Sequence, residues 1–314
     1  MRDFPSCFGE NGVQISDTAT TTTTPPPPPP TTAAKTAQNL VTCTYHCNLH
    51  NSSSFIITIT WSKTLIGHHL SAQINNPINQ SLCKLQIKPT LFSKSKGYRN
   101  FQVGPTQIHF FYDLSIAKFT TSPEPIRDFY FAIAINQELI LQLGDMEKQL
   151  IKKLNTNRFN FTSFPPNSIL ISKKEHIFGK KSYSTTAQFN GKGQIHEISI
   201  ECDTINTIDP SLVVRIDGKS VMQVKRLRWK FRGNYTILVD GLPVEVYWDV
   251  YDWFNDNNGG KLIGGNGVFL FQTCLSAEKL WGSAISWSNS LVKEKESMGL
   301  GLGFCLVLCV WKDE

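Results

Sequence analysis

The chain has 314 residues, 40% of them hydrophobic and 18% charged, with a formal net charge of +6. That composition is globular and excludes a collagen-like or wholly low-complexity chain. A chain of this length buries most of its apolar surface without disulfide or metal staples. The mildly basic balance permits an anionic partner without requiring one.

Residues 1–16 carry Phe4, Cys7, Phe8 and Val13 but no apolar run of the signal-peptide type. They are too few to fold alone, so this N-terminal motif is expected to dock elsewhere or to act as a tethered motif. Residues 17–37 form a Thr/Pro-rich linker that includes Pro25 to Pro30. This composition cannot build a core and reads as a disordered, stiff, polyproline-like spacer.

From Leu40 the period is two. Val41, Cys43, Tyr45 and Cys47 alternate with polar residues, and so do Phe55, Ile57, Ile59 and Trp61. Leu70, Ala72, Ile74, then Cys83, Leu85, Ile87 continue the pattern, and further strands are expected at 108–113, 129–135 and 139–143. Such alternation marks strands with one face buried. Residues 38–155 are therefore expected to form a first β unit. It closes with a helix over 145–154, where Met146, Leu150, Ile151 and Leu154 have helical spacing and Asp145 is the expected N-cap. A polar stretch with Pro165-Pro166 separates it from a second β unit, residues 156–314. The basic pairs Lys173-Lys174 and Lys180-Lys181 flank a short segment there, as in a charged loop or a split nuclear-import signal.

In the second half, strands at 198–202, 212–216, 221–231, 235–239 and 242–250 are punctuated by Asp217-Gly218 and Asp240-Gly241. Asp-Gly between alternating runs is a strong hairpin signal, because both turn positions need positive φ. Asn190-Gly191 is expected to make a similar turn, and 276–281 one further helical turn. Residues 300–311, the most hydrophobic run, are too few to span a bilayer and alternate as a terminal strand does.

The halves can be overlaid. Ile57 to Trp61 resembles Ile198 to Cys202, and HLSAQIN from His69 resembles SLVVRID from Ser211. The basic run from Cys83 to Gly97 resembles Met222 to Gly233, and Phe111-Tyr112-Asp113-Leu114 resembles Tyr247-Trp248-Asp249-Val250. The expected fold is all-β and mainly antiparallel: two related sandwich or barrel-like units from an internal duplication, packed as one body, with one or two short helices.

The eight cysteines show no zinc spacing. Cys43 and Cys47 share one strand face at roughly 13 Å, beyond disulfide reach. Reduced thiols and a cytoplasmic or nuclear location are expected. No P-loop, G-x-S-x-G, H-E-x-x-H or dinucleotide fingerprint occurs, so no catalytic residue, metal ligand or cofactor is assigned. His176 and His196 have no ligand partner at useful spacing. Asp113 and Asp249 fit turn-capping ends of matching strands. Read as one strand, 222–232 buries Trp229 and Phe231 on one face and aligns Arg226, Arg228, Lys230 and Arg232 on the other. Such a row suits the phosphates of a nucleic acid or lipid headgroup, or else pairs with acids such as Glu245.

MRDFPSCFGENGVQI, AQNLVTCTY, WSKTLIGHHL, SPEPIRDFY, KKEHIFGKK, FQTCLSAEKLW and the long run RIDGKSVMQVKRLRWKFRGNYTILVDGLPVEVYWDV together resemble the plant-specific domain-of-unknown-function family 868. The resemblance implies a plant source and no particular activity. The expected function is a non-enzymatic binding or adaptor protein, with an anionic or a protein partner. The alternative is a small apolar ligand held between sheets by Trp61, Phe110, Trp229 and Trp248, and a third reading is an enzyme with no recognisable motif.

Overall fold

A computed structural model describes residues 13–14, 37–49, 53–88, 95–156, 168–179, 182–190, 193–203, 210–253, 266–273 and 303–312. The Thr/Pro linker, Gly191, the expected turn at 276–281 and the glycine-rich stretch 299–302 lie outside them. The chain forms two compact units. The first comprises Gln38–Glu175 with Leu275–Cys305; the second comprises Met1–Ala37, His176–Cys274 and Leu306–Glu314. The division falls between Glu175 and His176, within a strand, and not in the polar stretch near residue 160.

Strand β1 (Val13–Gln14) belongs to the second unit. In the first, β2 (Ala37–Asn48), β3 (Ser54–Thr64), β4 (Gly67–Asn75) and β5 (Ser81–Ile87) form an antiparallel meander. A hairpin of β6 (Lys96–Val103) and β7 (Thr106–Asp113) follows. Next come the small ribbon β8 (Lys118–Phe119) and β9 (Pro125–Arg127), then β10 (Tyr130–Ile135) and β11 (Glu138–Leu143). Helix α1 (Glu147–Thr156) precedes β12 (Ser168–Gly179). One sheet has the order β12-β2-β3-β4-β5, the other β11-β10-β7-β6.

Val41, Ile57, Ile59, Trp61 and Ile74 from the first sheet form one core with Ile108, Phe110, Phe131 and Ile133 from the second. This is a β-sandwich. The second sheet is covered on its back as well. Phe111, Tyr130, Ala132 and Ala134 pack with Leu150 and Leu154 of α1, each of those leucines contributing about 1.5–3 kcal/mol by burial. That second layer makes β10 buried at every position. Asp145 does not cap α1. Its carboxylate accepts the Phe129 N–H at 3.2 Å, and the helix starts after Met146, whose carbonyl accepts the Leu150 N–H.

The second unit repeats this order. Its meander is β13 (Ser182–Ala187), β14 (His196–Asp203), β15 (Ser211–Ile216) and β16 (Lys219–Val224). β1 pairs with β16 at the outer edge, Val13 opposite Val224. The hairpin β17 (Arg232–Val239) and β18 (Leu242–Asp249), then β19 (Asn266–Thr273) and β20 (Cys305–Lys312), form the other sheet in the order β17-β18-β19-β20-β12. The two sheets meet through Phe189 and Phe271, with ring centroids 6.4 Å apart, and through Trp253, which lies 5.8 Å from Tyr183 and 5.9 Å from Phe269. Both Asp-Gly turns adopt the expected positive φ, at Asp217, Gly218, Asp240 and Gly241. Pro243 lies beyond the start of the β18–β19 ladder at Val244, so its missing N–H costs no bond on that side.

Corresponding residues of the two hairpins make corresponding contacts. Lys96 is opposite Asp113 and Arg232 opposite Asp249; Gly97 is opposite Tyr112 and Gly233 opposite Trp248. The Lys96–Asp113 ion pair is 2.6 Å and the Arg232–Asp249 pair 2.8 Å. Both aspartates also cap turns, Asp113 accepting the Ser115 N–H and Asp249 the Tyr251 N–H. The Lys96 and Ser115 bonds outweigh the effect of burial and hold the Asp113 carboxyl below its ordinary range.

Candidate functional site: a basic knuckle around Trp229

Residues 222–232 are not one strand. β16 ends at Val224 and β17 begins at Arg232. Arg226 adopts a left-handed backbone, φ +56°, and its carbonyl accepts N–H groups from both Trp229 (2.9 Å) and Lys230 (3.1 Å). The chain therefore makes one tight turn. Leu227 pins it from below: its side chain is fully buried and its N–H donates to the Pro210 carbonyl at 2.9 Å. On the far side, Trp248 Nε1 donates to the Lys230 carbonyl at 2.9 Å, and the Val250 N–H to the Phe231 carbonyl at 2.8 Å.

These anchors correct the expected geometry. Trp229 is not core but 86% exposed. The four cations do not form a row. Arg226 and Arg228 are exposed beside Trp229, and Lys230 is half-buried. Arg232 is structural: its Nε donates to Asp249, and its guanidinium lies over the rings of Phe231 (5.7 Å) and Tyr251 (5.2 Å). Glu245 is taken by the Tyr247 hydroxyl. Among the described residues, no carboxylate lies within ion-pair distance of Arg226, Arg228 or Lys230. The result is a rigid knuckle that presents two guanidinium groups and an indole to solvent.

The other expected basic patch has a different structure. Lys173 and Lys174 lie in β12, not in a loop, and Lys180 and Lys181 fall outside the described residues. The Lys173 side chain is only 15% exposed, with Nζ 2.6 Å from the fully buried Glu175 and 3.7 Å from Glu124. Burial opposes its charge, but the two carboxylates outweigh burial and hold the ammonium above its ordinary range. Burial also pushes the neighbouring Cys43 thiol up, so this cysteine is protonated and a poor nucleophile. Burial likewise pushes Cys47 up to about 12. The cluster is a buried ion network within a sandwich.

A third constellation was not legible from residue spacing. His196 Nδ1 lies 2.7 Å from Asp217 and Nε2 2.9 Å from Asp240. Both aspartates open Asp-Gly turns, one on each sheet of the second unit. The Asp217 bond is the largest influence raising the His196 pKa. An imidazolium can donate from both nitrogens at once, so the geometry is that of a charged staple between two hairpins. The only signal for it in the sequence is the recurrence of Asp-Gly itself.

Trp61 and Phe110 fill the core of the first unit, whereas Trp248 packs against Gly233 in the second and Trp229 is exposed. Among the described residues no group of His, Cys, Asp and Glu side chains is arranged to hold a metal ion, and no helix is long and apolar enough to cross a membrane.

A family model described as plant protein of unknown function (DUF868) matches residues 36–312, nearly the whole chain. No curated protein and no solved structure matches it.

Proposed function

The chain belongs to this plant family of unknown function, and we propose that it is a non-enzymatic binding or adaptor protein that engages a phosphate-bearing partner through the Trp229 knuckle. The observation that carries the reading is the indole, exposed on a turn pinned at Leu227, Lys230 and Phe231, with Arg226 and Arg228 beside it. Arginine is well suited to phosphate oxygens, which it binds bidentately. An exposed indole stacks on unpaired bases or settles at a headgroup boundary. Because hydrogen bonds already hold the backbone of the turn, the ordering cost of binding is confined to the side chains. Cys43, Cys47 and Cys83 carry free thiols, which supports a reducing, intracellular setting.

The test compares the full chain with Arg226→Ser/Arg228→Ser and with Trp229→Ala, against single-stranded RNA and against phosphatidylserine vesicles, at about 50 and 200 mM salt. The double arginine variant is expected to weaken binding to one of these partners and, for the RNA, to flatten the log–log salt slope by about 1.4. Arg232 is left intact because it holds Asp249. Unchanged affinity and slope in both arms would overturn the reading.

A further inference from the structure

The first unit carries a second exposed feature that the knuckle does not involve. The β3–β4 ladder closes at Thr64 opposite Gly67, so Leu65 and Ile66 are the two residues of the turn. Leu65 is 109% exposed and Ile66 77%. Two-residue hairpin turns are ordinarily Asn-Gly, Asp-Gly or Gly-containing, for reasons of backbone conformation. Here neither Leu65 nor Ile66 has positive φ, and Gly67 takes the unusual conformation at +131°. The backbone therefore does not require these two side chains, and the fold buries neither of them.

The tip is braced. Thr64 Oγ1 donates to the Gly67 carbonyl at 3.2 Å and lies 3.0 Å from His69 Nε2. The His68 ring lies against Phe119 of the β8–β9 ribbon, centroids 3.7 Å apart and planes tilted by 45°. Around this base the charge is positive. Exposed Lys63 is opposite His68 across the ladder, and exposed Lys118 adjoins Phe119 on the ribbon. Burial, and then Lys63, hold His68 below its ordinary range. The ribbon's acids are engaged, Asp128 with Arg127 at 3.9 Å and Glu124 with Lys173. The sequence contains no Asp or Glu between Asp17 and Asp113, so the meander β2–β5 has no negative side chain on either face.

We propose that the β3–β4 hairpin is a bilayer contact: Leu65 and Ile66 enter the headgroup region of an anionic membrane while Lys63 and Lys118 meet the lipid phosphates and carboxylates. The reading goes beyond the knuckle and does not depend on it. A protruding tip with two strongly exposed aliphatic side chains suits a medium that closes around it, as a headgroup layer does. Aliphatic side chains have no ring face on which a base could stack, which argues against a nucleic acid at this site. An acid-free, lysine-bearing surface complements the negative potential of an anionic leaflet. One small apolar tip gives reversible attachment, not permanent insertion.

The experiment is co-sedimentation of the full chain with vesicles of phosphatidylcholine alone and of phosphatidylcholine with about 30% phosphatidylserine. Leu65→Gln/Ile66→Gln is expected to lower the partition onto the anionic vesicles roughly tenfold, with the melting temperature unchanged because both side chains are already in water. Lys63→Gln is expected to lower it less, and chiefly at low salt. Arg226→Ser/Arg228→Ser keeps the tip-dependent component whatever happens at the knuckle, so the two readings fail separately. Equal partition of the chain and its Leu65/Ile66 variant overturns the proposal. So does equal binding to neutral and anionic vesicles, or a loss of RNA affinity in the tip variant without a loss on vesicles.

Discussion

Gly233 has no space for a methyl group: a Cβ there would overlap the ring of Trp248, directly across the ladder. That ring is tied by its Nε1 to the Lys230 carbonyl, so it cannot swing aside without leaving a buried donor unpaired. At the corresponding Gly97 a Cβ would lie 2.8 Å from the Tyr112 hydroxyl, a clash at the outer end of the side chain. Gly233→Ala is therefore expected to cost about 2–3 kcal/mol and Gly97→Ala about 1 kcal/mol, measured by urea denaturation. The Gly233 variant should also loosen the knuckle, seen as a change in Trp229 fluorescence anisotropy. The buried ion network gives a sharper single-residue test. Lys173→Met removes the ammonium that lies 2.6 Å from the fully buried Glu175 and should destabilise by about 3 kcal/mol, whereas adding Glu175→Gln in the same chain should restore much of that loss.

Between elements, the His196 staple joins the β15–β16 turn to the β17–β18 turn, and so one sheet to the other. Its folded pKa is raised above the ordinary 6.5, by the Asp217 bond first and by Asp240 as well. The stabilisation is therefore full below pH 6.5 and is lost as pH rises through the raised folded value. Asp217 is lowered from 3.8, chiefly by the His196 bond, so its share is present above pH 3.8 and lost as pH falls through the lowered value. Stability measured against pH should show a plateau between those limits and decline on the alkaline side. Because both carboxylates are half-exposed, solvent screening keeps the alkaline loss below about 1 kcal/mol, and His196→Gln should abolish that slope. Element by element, period-two alternation made β2–β5 and β14–β16 legible in the sequence, and Asp-Gly located two turns. The same pattern misled at 225–231. Leu227, Trp229 and Phe231 continue the apolar spacing of β16, yet only Leu227 is fully buried. The turn that interrupts them has no Gly, Pro or Asn, and it places an arginine in the left-handed region, without the Gly, Asn or Asp that ordinarily signals that conformation. The expected Asp145 cap failed for a related reason: the Phe129 N–H, distant in sequence, competes for the carboxylate.

At the scale of the molecule, each unit is a meander followed by a hairpin, and the sequence overlay pairs those elements in the same order. The cation–Asp and Gly–aromatic contacts recur at corresponding positions. The overlay could not anticipate what differs between the units: α1 backs the second sheet of the first unit, whereas β1 extends the meander of the second. β1 comes from a peptide that precedes the Thr/Pro run, so the outer edge of β16 is sealed by a segment far from it along the chain. Deleting residues 1–16 should speed hydrogen exchange in β16 and leave α1 unaffected. A protease that nicked the proline tract would have a different effect from one that removed the peptide. The peptide would remain present but no longer tethered, its local concentration would fall from the millimolar range to that of a free fragment, and the vacated ladder would become a template for a strand from another copy of the protein.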